Sequence, residues 1–160
     1  MKPISLLRPL LVALLPLAAL AAPFDPGQTL EIELDDPADS VSLNELGYFT
    51  QAVEKVLAER GYAGEFEVNR YSGASQTDTG PLVHVRLVRW DTFVPTEFEC
   101  RVYVTAIADG KDYDLGVHVG RTDAFAPTLN QKERRLVDSA ANAMQKVYDA
   151  LLEQGLLVQE

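Results

Sequence analysis

The chain has 160 residues, 47% of them apolar and 24% charged, with a mean hydropathy of -0.05. That is a globular balance and excludes disorder, collagen and coiled coil as whole-chain readings. With 14 Lys and Arg against 24 Asp and Glu, the formal charge is -10, which argues against a nucleic-acid partner and disfavours an anionic membrane surface.

The first segment reads as a leader. Lys2 and Arg8 form a short basic region. Leu10 to Leu20 is an apolar run broken only by Pro16, and Ala19-Leu20-Ala21 supplies the small residues of a cleavage site. This is the pattern of a bacterial secretory signal peptide over residues 1–21. The run is short for a bilayer span, which needs about 20 apolar residues, and no later stretch could cross a membrane. Cleavage after Ala21 leaves one domain, residues 22–160, large enough to bury a core without staples. Both leader bases are lost, so 12 bases face 24 acids and the charge becomes -12. From Ala22 to Glu54 there are eight acids and no Lys or Arg, a stretch suited to a basic partner, a cation or simple solubility.

The elements follow in chain order. Thr29 to Leu34 alternates, with Leu30, Ile32 and Leu34 on one side, as a half-buried strand does. Asp35 to Asp39 is a turn. Ser42-Leu43-Asn44-Glu45 reads as a capping box, and Leu43, Leu46, Phe49, Val53, Val56 and Leu57 recur at helical spacing up to Arg60 and a Gly61 stop. A short strand spans about 65–71. Residues 72–81 form the one long polar loop. Strands follow over 82–90, 97–108 and 111–120, the last two joined by a two-residue Asp109-Gly110 turn. A long helix, capped by Thr128 or Asn130, runs to about Glu153. The Leu156-Leu157-Val158 tail either tucks against the sheet or extends it.

A two-residue turn at 109–110 pairs Val104 with Leu115, Val102 with Val117, Cys100 with Val119, and Tyr103 with Gly116. Apolar residues then meet apolar ones throughout. The expected fold is an α+β two-layer sandwich in the order β-α-β-β-β-β-α, its sheet mostly antiparallel and its two helices on one face.

Chemistry is mostly absent. Cys100 is the one cysteine, so no internal disulfide can form. The alternation Phe98, Cys100, Val102, Val104 places it on a buried strand face as an inert thiol. The two histidines, His84 and His118, fall in this register on the outer sheet face, ~10 Å apart across a central strand. That is too few ligands for zinc. There is no G-x-S-x-G, no phosphate loop and no dinucleotide fingerprint. No cofactor and no catalytic residue is assigned.

What remains is a surface. Alternation puts His84, Arg86, Val88 and Trp90 beside Arg101 and Tyr103, with Asp114 and His118 beyond. Arg, Trp and Tyr are the types that anchor interfaces, and the loop at Phe93 adds an apolar group. The candidate interaction face is therefore His84, Arg86, Trp90, Phe93, Arg101, Tyr103 and His118. The alternative is a routine sheet face with Trp90 and Phe93 closing the core edge.

Three stretches, Ala52–Tyr62, Arg101–Asp112 and Ser139–Leu151, form a helix leading to a strand, a strand-turn and a closing amphipathic helix. In that element order the chain resembles small bacterial envelope domains of α/β sandwich type, among them outer-membrane assembly and transport-auxiliary lipoproteins. This sequence lacks their lipoprotein cysteine. The resemblance implies a noncatalytic periplasmic accessory role and transfers no catalytic residue. The leading functional expectation is thus a periplasmic or secreted domain that binds an envelope protein. Two rivals are a small-ligand carrier with a pocket between helices and sheet, lined by Phe49, Phe66, Val85 and Val104, and a small hydrolase using His84 or His118.

Overall fold

The computed structural model describes residue 24 and residues 27–36, 43–73 and 81–158. The expected leader and its cleavage site, the turn at 37–39, the Ser42 cap and the polar stretch 74–80 lie outside them. The element order is β1 (Leu30–Asp35), α1 (Leu43–Glu59), β2 (Phe66–Arg70), β3 (Leu82–Val94), β4 (Glu97–Ala108), β5 (Lys111–Asp123) and α2 (Leu129–Glu153). This is the expected α+β order. The sheet, however, is mixed.

Its strand order is β2-β1-β3-β4-β5. β1 lies between β2 and β3 and runs parallel to both, while β3, β4 and β5 form an antiparallel meander. The expectation of a mostly antiparallel sheet therefore holds only for its second half. The physical reason is burial. Leu30, Ile32 and Leu34 are all buried, and a strand paired on both sides puts that apolar set under more cover than an edge position would.

Local chemistry explains the elements. In α2, Thr128 caps the helix. Its hydroxyl accepts from the Gln131 amide, and the Gln131 side chain answers at the Thr128 amide. The Asp109-Gly110 turn takes positive φ at both residues, 49° and 68°, the form that matches strand twist in a tight hairpin. The core gathers Leu30, Ile32, Val83, Val85, Cys100, Val102, Val104 and Ala106 from the sheet with Phe49, Val53 and Val56 of α1 and Ala140, Met144 and Val147 of α2. Leu156 and Leu157 join it, and the Leu156 carbonyl accepts from the Phe24 amide at 2.7 Å. The tail thus tucks in and does not extend the sheet.

Gly120 marks the closest approach of helix to sheet. A Cβ there would overlap the Ser139 carbonyl oxygen and the Ala143 amide nitrogen of α2. α2 also blunts the β5 edge. Lys146 Nζ donates to the Val119 carbonyl, and Asn142 Nδ2 to that of Arg121 at 2.9 Å. Side chains that occupy edge carbonyls remove the template for strand addition.

Candidate functional site

The meander carries three register shifts, and the two at Val88 and Leu115 decide which of the described side chains share the outer sheet face, the third lying between Thr92 and Val94. In β3 the pairing with β4 runs regularly from Leu82↔Ile107 to Leu87↔Val102, then resumes at Arg89↔Arg101, so Val88 is the extra residue of a bulge. In β5 the pairing with β4 runs from Lys111↔Ala108 to Asp114↔Thr105, then resumes at Gly116↔Val104, so Leu115 is extra. Gly116 adopts φ 77° and its amide donates to Asp114 Oδ1 at 2.9 Å. That left-handed conformation is what a glycine supplies at a bulge. Each bulge shifts the register by one, and every side chain beyond it changes face.

Two of the seven expected face residues are therefore on the other side. Trp90 pairs with Cys100 and turns to the helices. Its ring meets Phe49 edge-on at 6.1 Å, and its Nε1 donates to the Leu136 carbonyl of α2 at 3.0 Å. It closes the core. His118 pairs with Val102 and also lies on the helix side. Its Nε2 donates to the Leu115 carbonyl at 2.9 Å. Burial lowers its pKa first, and Lys146 adds to that, against the raising effect of the Leu115 bond. The expected pairs Leu115 with Val104, Val117 with Val102 and Val119 with Cys100 are likewise replaced, and Val117 stands exposed on the outer face opposite Tyr103. The side chain of Phe93 lies outside the described residues.

His84, Arg86, Arg101 and Tyr103 do share the outer face. His84 pairs with Glu33 and Arg86 with Asp35, both from β1. Asp35 Oδ2 stands 3.8 Å from His84 Nε2 and 3.9 Å from Arg86 Nε. Tyr71 lays its ring over His84 with centroids 4.7 Å apart. Glu33 is buried, and among the described residues its Oε2 and the His84 Nε2 have no hydrogen-bond partner. Burial raises the Glu33 pKa, partly offset by His84, while Glu31 pushes it further up. Tyr103 hydrogen-bonds Asp114, which raises the phenol pKa.

The far half of the face holds a charge cluster. Glu99 is fully buried, with Arg101 at 3.0 Å from Oε1 and Arg121 at 2.9 Å from Oε2. A carboxylate removed from water is tolerated where guanidinium groups answer it. Val88, at the bulge next to Arg89, and Val117, opposite Tyr103, are both exposed. Glu33, Asp35, Tyr71, Glu99 and Arg121 were missed as site residues. The outward alternation of Glu31 and Glu33 was readable, but Asp35 was read as the start of a turn, and nothing in the sequence placed β1 beside β3.

The arrangement offers little for catalysis. The sheet separates His84 from His118. Cys100 faces the core, and burial pushes its thiol up, with Glu99 adding to the shift. Among the described residues no three His, Cys, Asp or Glu side chains are placed to hold a metal. Among the described residues, the space found between helices and sheet has a volume of about 20 Å³, lined by Leu30, Val53, Val83, Met144 and Tyr148 among others. That is room for about one water, far below the several hundred Å³ of a ligand pocket. Of the four residues expected to line such a pocket, Phe49, Val85 and Val104 are packed core and Phe66 is partly buried against it.

No family model matches the sequence, and no curated relative matches it. Solved structures do resemble it. A crystal structure of an uncharacterised protein superposes with a TM-score of 0.51 at 7% identity over 83% of this chain and 95% of that one. XCC0632 from Xanthomonas campestris, of the DUF330 family, gives 0.51 at 6% identity over 84% and 92%. A putative lipoprotein from Caulobacter crescentus gives 0.41 at 12% identity over 76% and 90%. The first two show a shared fold with small bacterial domains and nothing further. Among the described residues no helix is long and apolar enough to cross a membrane.

Proposed function

We propose that the chain is a noncatalytic accessory domain of the bacterial envelope, exported by the leader at 1–21 and acting in the periplasm or beyond. In this reading both helices cover one face of the sheet in a two-layer arrangement, and the other face binds an envelope protein. The contact set is His84, Arg86, Arg101 and Tyr103, extended by Val88 and Val117.

One observation carries the reading. The outer face buries two carboxylates, Glu33 and Glu99, among Arg, His and Tyr side chains, while the helix face is apolar. Buried charge is weak support for stability, so a binding role gives that composition a reason. Arg and Tyr flanked by exposed apolar groups is the make-up of an interface centre. The test is a crosslinking pull-down from the periplasm of the native host with the processed chain. A single enriched envelope protein lost on combined Arg86→Glu and Arg101→Glu substitution supports the face. A partner retained by that variant, with its thermal melt unchanged, removes it.

A further inference from the structure

The two edges of the sheet differ. The β5 edge carries the Lys146 and Asn142 side chains on its Val119 and Arg121 carbonyls. At the opposite edge β2 pairs with β1 alone. The Leu30 amide donates to the Glu65 carbonyl at 2.9 Å, and the Tyr71 amide to the Leu34 carbonyl at 3.0 Å. In a parallel ladder alternate residues bond to the same neighbour. The backbone of Glu67 and Asn69 therefore faces β1, and the amides and carbonyls of Phe66 and Val68 face outward. Among the described residues nothing bonds to those outward groups. Such a row is a template for a further strand.

The side chains along this edge select what pairs there. Phe66 and Val68 lie on the helix side and are only partly buried against the core. Glu67 is exposed on the outer side, in register with Glu31 of β1. Like charges side by side on adjacent strands repel. Among the described residues no ion pair answers either carboxylate. The excess is local to this side of the chain. Residues 22–42 and 61–81, which contain β1 and β2, carry nine Asp and Glu and one base, Arg70, whereas residues 82–160 carry twelve acids and nine bases.

We infer that the β2 edge takes up an extended segment of another protein as a further strand, one that alternates Lys or Arg with apolar residues. Its backbone bonds to Phe66 and Val68. Its apolar side chains extend the cover over those two residues on the helix side, and its bases stand beside Glu67 on the outer side. In strand addition the main-chain bonds supply affinity and the alternate side chains specificity. A second copy of this chain fits less well. Pairing β2 with β2 brings Glu65 and Glu67 of both copies to a side on which β1 and β2 carry no base. A divalent cation lacks a ligand set among the described residues. The inference does not use the contact set proposed for the outer face, and either can fail without the other.

The test is fluorescence anisotropy of a labelled peptide alternating lysine and valine over about ten residues. It is titrated with protein expressed from the full sequence and purified in its processed form from the periplasm. Saturable binding is expected, with none for a peptide alternating glutamate and valine. A peptide alternating lysine and proline, which cannot add as a strand, is expected to bind roughly tenfold more weakly or worse. V68P removes an outward amide and no bond of the β1 ladder, so it is expected to fold and to weaken binding roughly tenfold. E67K, at an exposed side chain, is the second variant and is expected to weaken binding roughly fivefold. D109N/D112N makes the same change in charge at the exposed β4–β5 turn and leaves binding unchanged. Absence of saturable binding by the wild type overturns the inference. So does full binding by a folded V68P, or a loss in D109N/D112N equal to that in E67K. Self-association of the wild type that V68P abolishes, in place of peptide binding, overturns it as well.

Discussion

The two faces of the sheet solve different problems. On the helix side Cys100, Val102, Val104 and Ala106 are apolar and fully buried, and Trp90 and Gly120 fit the helices so closely that their substitution is costly. On the outer side Glu33 and Glu99 are also buried, but among charges and aromatic rings. The first face holds the fold together by area removed from water. The second buries carboxyl groups, which are weak support for stability.

The largest expected effect breaks the comparison at Trp90. Trp90→Ala is expected to cost about 3 kcal/mol or more, by the cavity it leaves between Phe49 and α2, read by urea denaturation. A cost near zero would return Trp90 to the outer face. Gly120→Ala comes next at about 2 kcal/mol, since its Cβ meets the α2 backbone and the helix has to shift. Glu99→Gln is expected to cost about 1.5 kcal/mol, because hydrogen bonds to a charged acceptor exceed neutral ones. Its remaining stability is expected to depend less on salt than that of the wild type.

Acid sharpens the comparison, because the titrating groups of the two faces act in opposite directions. Burial holds His118 below its ordinary 6.5, so the folded state binds fewer protons than the unfolded chain. Its stabilising share is present above that value and is lost as the pH falls through the folded pKa. His118→Gln is expected to flatten the stability profile there. Glu33 is held above 4.5, so its share is present below that value and lost as the pH rises through the folded pKa. Glu33→Gln is expected to stabilise the protein at neutral pH and to be neutral in acid. The smallest effect is Val117→Ser, within about 0.5 kcal/mol, as for any exposed position. A larger loss would restore the unbulged register, in which Val117 lies against Val102.

The helix-side face was largely legible in the sequence because its signals are local. The periods of β4 and α2, the Thr128 cap, the Asp109-Gly110 turn and the burial of Cys100 all follow from residues close in the chain. The outer face was legible only up to the bulges. A single extra residue, Val88 or Leu115, leaves composition and hydropathy almost unchanged yet reverses every side chain after it. There was a trace of each. The apolar set of β3 passes from 83, 85 and 87 to Trp90, and Gly116 and Gly120 sit where a helix or a left-handed turn needs no side chain. The place of β1 was less accessible still. The long polar stretch between β2 and β3 is compatible with a hairpin or with a return past another strand, and only non-local burial of Leu30, Ile32 and Leu34 chooses between them.

The most direct measurement places a photo-crosslinking side chain in turn at Val88, at Val117 and at Glu54, the last exposed on α1, and irradiates cells of the native host. Adducts to one envelope protein from positions 88 and 117, with none from 54, are the expected result. An adduct from 54 alone would put the partner on the helices and contradict the assignment of the outer face as the site.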